Sequence, residues 1–300
     1  MEINSDKNTD LETDFEKTAM HVSFVSIIVN VALSVFKLFA GVFAHSSAMV
    51  SDAVHSASDV FSTIVVMIGV KLSAQASDKK HPYGHERLEC VAASILATVL
   101  ALTGLGIGYS AVTQMIHKDY TTTVTGILAL SAALVSILAK EVMYHYTRYH
   151  AKKIDSGALM ADAWHHRSDA LSSVGALIGI AAARAGFPVL DPIASLVICF
   201  FIEKAALDIY KDAMDKMVDE ACDDDTEAAI RNCVLAQEGV LGIDMLQTRL
   251  FGNKIYVDLE IRADGSSSLT EAHEIAERVH NIIEATFPKV KHIMVHVNPA

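Results

Sequence analysis

No two of the four cysteines form a CxxC pair: Cys90, Cys199, Cys222 and Cys233 stand apart, partly within apolar runs, so neither a disulfide framework nor a cysteine zinc ribbon is indicated. A basic stripe is lacking too. Lysine and arginine total 24 against 36 aspartate and glutamate, a net charge of −12 that is the wrong sign for displacing phosphate counterions from nucleic acid. No HExxH occurs, and no basic region precedes the first apolar segment. Residues 1–20 instead carry six acids and two bases, so that segment does not read as a signal peptide.

What the chain has in excess is apolar residues: 52% are hydrophobic and the mean hydropathy is +0.34 over 300 residues, the composition of a membrane protein. Charge is unevenly placed. Residues 211–300 carry seventeen acids and nine bases, whereas residues 21–210 carry thirteen of each, confined to short clusters between apolar runs. A helix needs roughly 20 apolar residues to cross ~30 Å of hydrocarbon. Six stretches qualify, at about 21–44, 48–73, 88–116, 122–146, 157–184 and 188–210. The last is the weakest, being interrupted by Asp191.

Bases cluster in the second-to-third connection (Lys71, Lys79, Lys80, Arg87) and the fourth-to-fifth (Arg148, Lys152, Lys153), against Lys118 and Arg184 on the other side. Positive-inside bias places those two loops, and with six spans both termini, in the cytoplasm. The expected organisation is an acidic N-terminal tail (1–20), a six-helix transmembrane bundle (21–210) and a cytoplasmic C-terminal domain (211–300). In that domain residues 223–237 read as a helix, 243–250 and 255–261 as strands, 269–286 as a helix opened by Ser268 or Thr270, and 293–297 as a last strand. The order αββαβ is a small α+β unit.

Ionisable residues inside a span are costly and mark function. The second and fifth segments hold two copies of one octapeptide, DAxHxxSD, at Asp52–Asp59 and Asp162–Asp169, which suggests an internal repeat with a site where its halves meet. At ~100° per residue, His55 and Asp59 stand one turn apart on one helix face, as do His165 and Asp169. Two imidazoles and two carboxylates converging between the helices make a tetrahedral N₂O₂ set suited to zinc, with cobalt and cadmium as alternatives. The competing use of these residues is as interhelical ion pairs, with one another or with Lys37 and Arg167. Asp52 and Asp162 fit a supporting hydrogen-bond role to the histidines as well as direct ligation. His166 falls ~100° off the site face and is expected to face solvent or an interface. In the loop, Asp78, His81 and His85 form DxxHxxxH, a surface metal site of low specificity.

Carried by the two HxxxD motifs, by HPYGHERLE (His81–Glu89) and by the terminal αββαβ unit, the sequence resembles the cation diffusion facilitator family, and closely its bacterial zinc members. The resemblance covers all but the acidic tail. It implies six helices plus a cytoplasmic domain similar to the ferredoxin-like metallochaperones. It also implies a homodimer in the cell membrane that expels a divalent metal in exchange for protons, not an enzyme, with zinc favoured by the double HxxxD. By the same resemblance Asp78, His81 and His85 form a peripheral metal site, and Arg87 interlocks with an acid near the end of segment six, for which Asp219 is the candidate. In the soluble domain it implies a dimer-bridging zinc site at Asp244, Asp258, His273 and His296, with Asn298 where an acid is usual. His280 and His292 match no role. Set against export of metal by proton antiport are a membrane-embedded zinc sensor without transport and a transporter of Co²⁺, Cd²⁺, Fe²⁺ or Mn²⁺.

Overall fold

The computed structural model describes residues 2–43, 47–117, 127–184 and 189–300. They form two compact units, a helical one (16–73 and 88–213) and one built from residues 1–15, 74–87 and 214–300.

The helical unit is formed by residues 16–73 and 88–213 of six long helices, α1 (Glu2–Phe43), α2 (Ser47–Ser73), α3 (Arg87–His117), α4 (Ile127–Ile154), α5 (Gly157–Arg184) and α6 (Leu190–Met217). Three of them outrun the apolar stretches. α1 starts at Glu2, α4 runs on through Lys152 and Lys153, and α6 ends at Met217, because backbone hydrogen bonding continues wherever nothing breaks it. The expected separate tail at 1–20 is therefore helical from Glu2 onward.

Burial in this unit is inverted relative to a water-soluble bundle. Along α1, Ser23, Ser26, Asn30 and Lys37 face inward, whereas Phe24, Val35, Phe39 and Phe43 are exposed. Leu102, Leu105 and Tyr109 on α3 are exposed in the same way, while Gly104 and Gly108 are buried. Small and polar residues inside and large apolar residues outside are what a hydrocarbon solvent selects. The stretches Asp14–Ala40 and Arg87–His117 also have the length and composition of membrane-crossing helices.

The chain turns tightly between α4 and α5. Asp155 takes the left-handed conformation (φ 55°), and the buried Ser156 hydroxyl accepts the Leu159 N–H at 3.2 Å, capping the new helix. This short connection lays α4 antiparallel along α5.

In the soluble unit α7 (Asp224–Leu235), β1 (Gly242–Phe251), β2 (Lys254–Ala263), α8 (Leu269–Thr286) and β3 (Val290–Pro299) follow the αββαβ order. β1 pairs antiparallel with β2, and β2 pairs parallel with β3 through the α8 crossover. α8 opens with a reciprocal cap: Ser268 Oγ accepts the Glu271 N–H at 3.3 Å while Glu271 Oε2 accepts the Ser268 N–H at 2.7 Å. Val257, Leu259 and Ile261 of β2 meet Ile230 of α7 and Val279 and Ile283 of α8 in one core. Leu259 is 1% exposed at its centre. Leu259→Ala lowers the unfolding free energy of this unit by about 2–5 kcal/mol, read as faster hydrogen exchange of the β2 amides.

Candidate metal centre

The two carboxylate–histidine helices meet where the octapeptide repeat places them. Asp59 on α2 is 2% exposed and its Oδ1 lies 3.4 Å from His165 Nε2 on α5. Asp169, one turn further along α5, brings Oδ2 to 4.0 Å from the same nitrogen. Asp59, His165 and Asp169 each offer one ligating atom, and the three atoms lie within 4.8 Å of one another. The side chains of His55 and Asp52 lie outside the described residues, as does Lys118. The backbone of α2 carries His55 one turn before Asp59.

A residue no motif announces completes the cluster. Lys140 on α4 donates to Asp59 Oδ2 at 2.6 Å and to Asp169 Oδ2 at 3.0 Å, with its side chain 3% exposed. The ion-pair use of these carboxylates is thus present, with Lys140 rather than Lys37 or Arg167 as the partner. Arg167 instead approaches Glu141 Oε1 at 3.7 Å and lies over the Tyr144 ring, and Lys37 donates to Ser56 Oγ at 2.8 Å. A signal for Lys140 did exist. It sits fifteen residues before Asp155 and Asp169 fourteen after it, so an antiparallel pair hinged there brings both to one height.

One turn before His165 and His166, Asp162 forms a separate buried group. Its Oδ1 accepts from Thr63 at 3.3 Å and its Oδ2 lies 3.5 Å from His166 Nε2. His166 is fully buried, against the expectation of an outward-facing ring. α5 is covered on more than its site face, so a 100° offset does not reach the surface.

In the loop, Asp78, His81 and His85 converge. His85 Nε2 lies 3.0 Å from His81 Nδ1 and 3.6 Å from Asp78 Oδ2, and His85 is the enclosed member, its side chain 9% exposed. Asp78 Oδ1 accepts the His81 N–H at 2.6 Å and the Lys80 N–H at 2.8 Å. Those backbone donors, the His81 one foremost, hold its carboxyl below the usual range, which keeps it anionic and fit for a cation. The loop is fastened to the rest of its unit. Tyr256 donates its hydroxyl to the Tyr83 carbonyl at 2.9 Å, Lys291 pairs with Glu86, and Arg87 pairs with Asp219 while its guanidinium covers the Phe251 ring. Gly252, at φ 63°, turns the β1–β2 hairpin beneath Glu86, whose carbonyl oxygen stands 2.8 Å from where a side chain would begin.

On the sheet, the four expected ligands do not come together within one chain. Asp244 pairs with Arg262 at 3.0 Å and accepts from Asn298 at 3.1 Å, whereas exposed His273 on α8 lies 3.7 Å from Glu277. Asp258 and His296 occupy the face away from the core, where Asp258 pairs in register with Met294 and Glu260 with His296. Glu260, not anticipated as a polar partner, accepts from Asn298 at 3.2 Å.

Comparison with known proteins places both units. The cation efflux transmembrane domain matches residues 23–218, and the cytoplasmic domain of cation efflux proteins matches residues 222–300. Metal tolerance protein C1 of Arabidopsis thaliana is 35% identical over 289 residues, 92% of this chain, which spans 61% of that longer protein. Manganese efflux system protein MneP of Bacillus subtilis is 27% identical over 296 residues, 96% of this chain and 99% of that one. Among solved structures, MamM-CTD 215-293 is similar at 24% identity with a TM-score of 0.25, covering 25% of this chain and 96% of that one. With nearly the whole length matched by the two halves of one transporter family, the chain belongs to the cation efflux family: it is a membrane protein with a cytoplasmic C-terminal domain that exports divalent metal cations, and it is not an enzyme.

Proposed function

We propose that this protein exports Zn²⁺ from the cytoplasm in exchange for protons, by alternating access around His55, Asp59, His165 and Asp169. The observation that carries this reading is the convergence of Asp59, His165 and Asp169, with ligating atoms within 4.8 Å of one another between α2 and α5. Together with His55 they supply two imidazoles and two carboxylates, a donor set that suits a borderline-soft, four-coordinate ion and leaves calcium or magnesium short of oxygens. Proton and metal compete for the same lone pairs, since an imidazole or carboxylate binds metal only when deprotonated. Metal entering from the cytoplasm displaces protons, and protons returning from outside release it.

In this reading α1–α6 are six membrane spans with both termini cytoplasmic in the cell membrane, and residues 1–20, 21–210 and 211–300 act as tail, transport domain and dimerisation domain of a homodimer. Asp78, His81 and His85 hold metal for delivery. Asp52 and Asp162 support the transport site from its edges, and the Arg87–Asp219 pair braces the exit of α6. Asp244, Asp258, His273 and His296 would meet metal across the dimer. A sensor without transport is set aside by family membership, because the family exports cations. A manganese preference is the second reading, favoured by the named activity of the Bacillus relative.

Vesicles containing the protein together with a zinc dye and a pH dye test the proposal. Zinc entry accompanied by opposite proton movement is expected, and His55→Asp is expected to lower the Zn/Mn flux ratio by about tenfold. Zinc movement without protons overturns antiport, and an unaltered Zn/Mn ratio overturns the role given to His55.

A further inference from the structure

Both Oδ2 atoms of the candidate metal site, on Asp59 and on Asp169, are taken by one ammonium group, that of Lys140. We propose that Lys140 is a tethered counter-cation that competes with the transported metal for these two oxygens and thereby sets the affinity and selectivity of the site; this rests on Asp59, His165 and Asp169 being metal ligands.

The argument is one of charge and lone pairs. The two carboxylates carry two negative charges in a region where Lys140, Asp59 and Asp169 are 3%, 2% and 9% exposed. Unpaired buried charge is strongly unfavourable, and an empty transporter has to hold these groups with no metal present. Lys140 lowers the net charge of the empty site from two negatives to one. An incoming dication must coordinate those oxygens at about 2.0–2.2 Å, which brings it within a few ångströms of the ammonium where repulsion is weakly screened. Metal and ammonium therefore exclude one another, and the lysine withdraws when metal binds.

Selectivity follows from what each ion gains in return. A hard cation such as Mg²⁺ interacts with carboxylate oxygen and little with imidazole, so it contests Lys140 on the ammonium's own terms. An ion with affinity for imidazole gains His165 in addition, a ligand for which the lysine does not compete. The tethered charge weakens binding of every dication and weakens most those that rely on oxygen alone.

Equilibrium zinc binding to the purified full-length protein in lipid nanodiscs, with a chelator setting free zinc, tests this. Lys140→Met is expected to bind zinc at least tenfold more tightly than the parent, and to be inhibited by millimolar Mg²⁺ that leaves the parent unaffected. Lys140→Arg is expected to bind zinc about tenfold more weakly, because a guanidinium holds paired carboxylates through two parallel hydrogen bonds. Should Lys140→Met not fold, the direction of the arginine variant decides. Zinc affinity that is unchanged or weaker in Lys140→Met, or unchanged or tighter in Lys140→Arg, overturns the proposal while leaving the metal site standing. Asp59→Asn separates the two failures: parental zinc binding that is insensitive to this substitution removes the site itself, and the role of Lys140 with it.

Discussion

Asp59→Ala is expected to reduce zinc flux in proteoliposomes at least about 100-fold, to the level of protein-free vesicles, while the variant remains folded. Even partners that only orient a metal ligand are worth 10–100-fold, and Asp59 supplies an oxygen at the centre of the cluster. Its carboxylate makes the shorter approach to both His165 and Lys140, at 3.4 and 2.6 Å against 4.0 and 3.0 Å for Asp169. Removing it strips the site of a ligand and of half its negative charge. The fold survives because Asp169 still pairs with Lys140, so the ammonium is not orphaned. Measurable residual zinc flux above empty vesicles would move the transport pathway away from the α2–α5 contact.

The double variant Asp59→Ala/Asp169→Ala is a different experiment, with stability as its readout. Lys140 is then a buried ammonium without either carboxylate. Removing the partners of a buried charge costs about 3–5 kcal/mol, so the double variant should lose far more stability than the two single variants added together. Adding Lys140→Met to the double variant should return most of the loss, since an apolar side chain of similar length has no charge to compensate. Thermal unfolding of the detergent-solubilised protein reads the parent and all four variants. A double variant no less stable than the sum of its singles would mean that Lys140 finds water or another acid once its partners are gone.

How much of this was legible beforehand depended on the range of the contacts. The octapeptide repeat could be read directly, since a four-residue spacing fixes a helix face without any knowledge of the neighbours, and the paired helices bring Asp59 and His165 together as that spacing implies. The alternation of Ile255, Val257, Leu259 and Ile261 likewise showed a half-buried strand. Lys140 belonged to no pattern. Its role depends on where the α4–α5 turn falls, and one residue's slip in that turn would rotate its side chain by 100°. His166 escapes the sequence for a related reason, because helix periodicity gives direction but not what stands there. The pairs Tyr83–Tyr256 and Glu86–Lys291 join distant parts of the chain, and nothing local encodes them. The Ser268 cap, by contrast, lies within four residues of its partner, so the local sequence restricts it to Ser268 or Thr270.

The loop fastened by Tyr83, Glu86 and Arg87 changes what it means to remove the soluble unit. The polypeptide passes between the helical unit and this one at residues 15/16, 73/74, 87/88 and 213/214, so the soluble unit is stitched in rather than appended. A stop codon after residue 213 severs a single stitch and leaves the other three in place, two of them around a loop stripped of Tyr256, Lys291, Phe251 and Asp219. Such a truncation does not report on a transporter lacking a regulator. It reports on one with loose thread between its second and third helices, and any loss of activity must be divided between the missing domain and the unfastened loop.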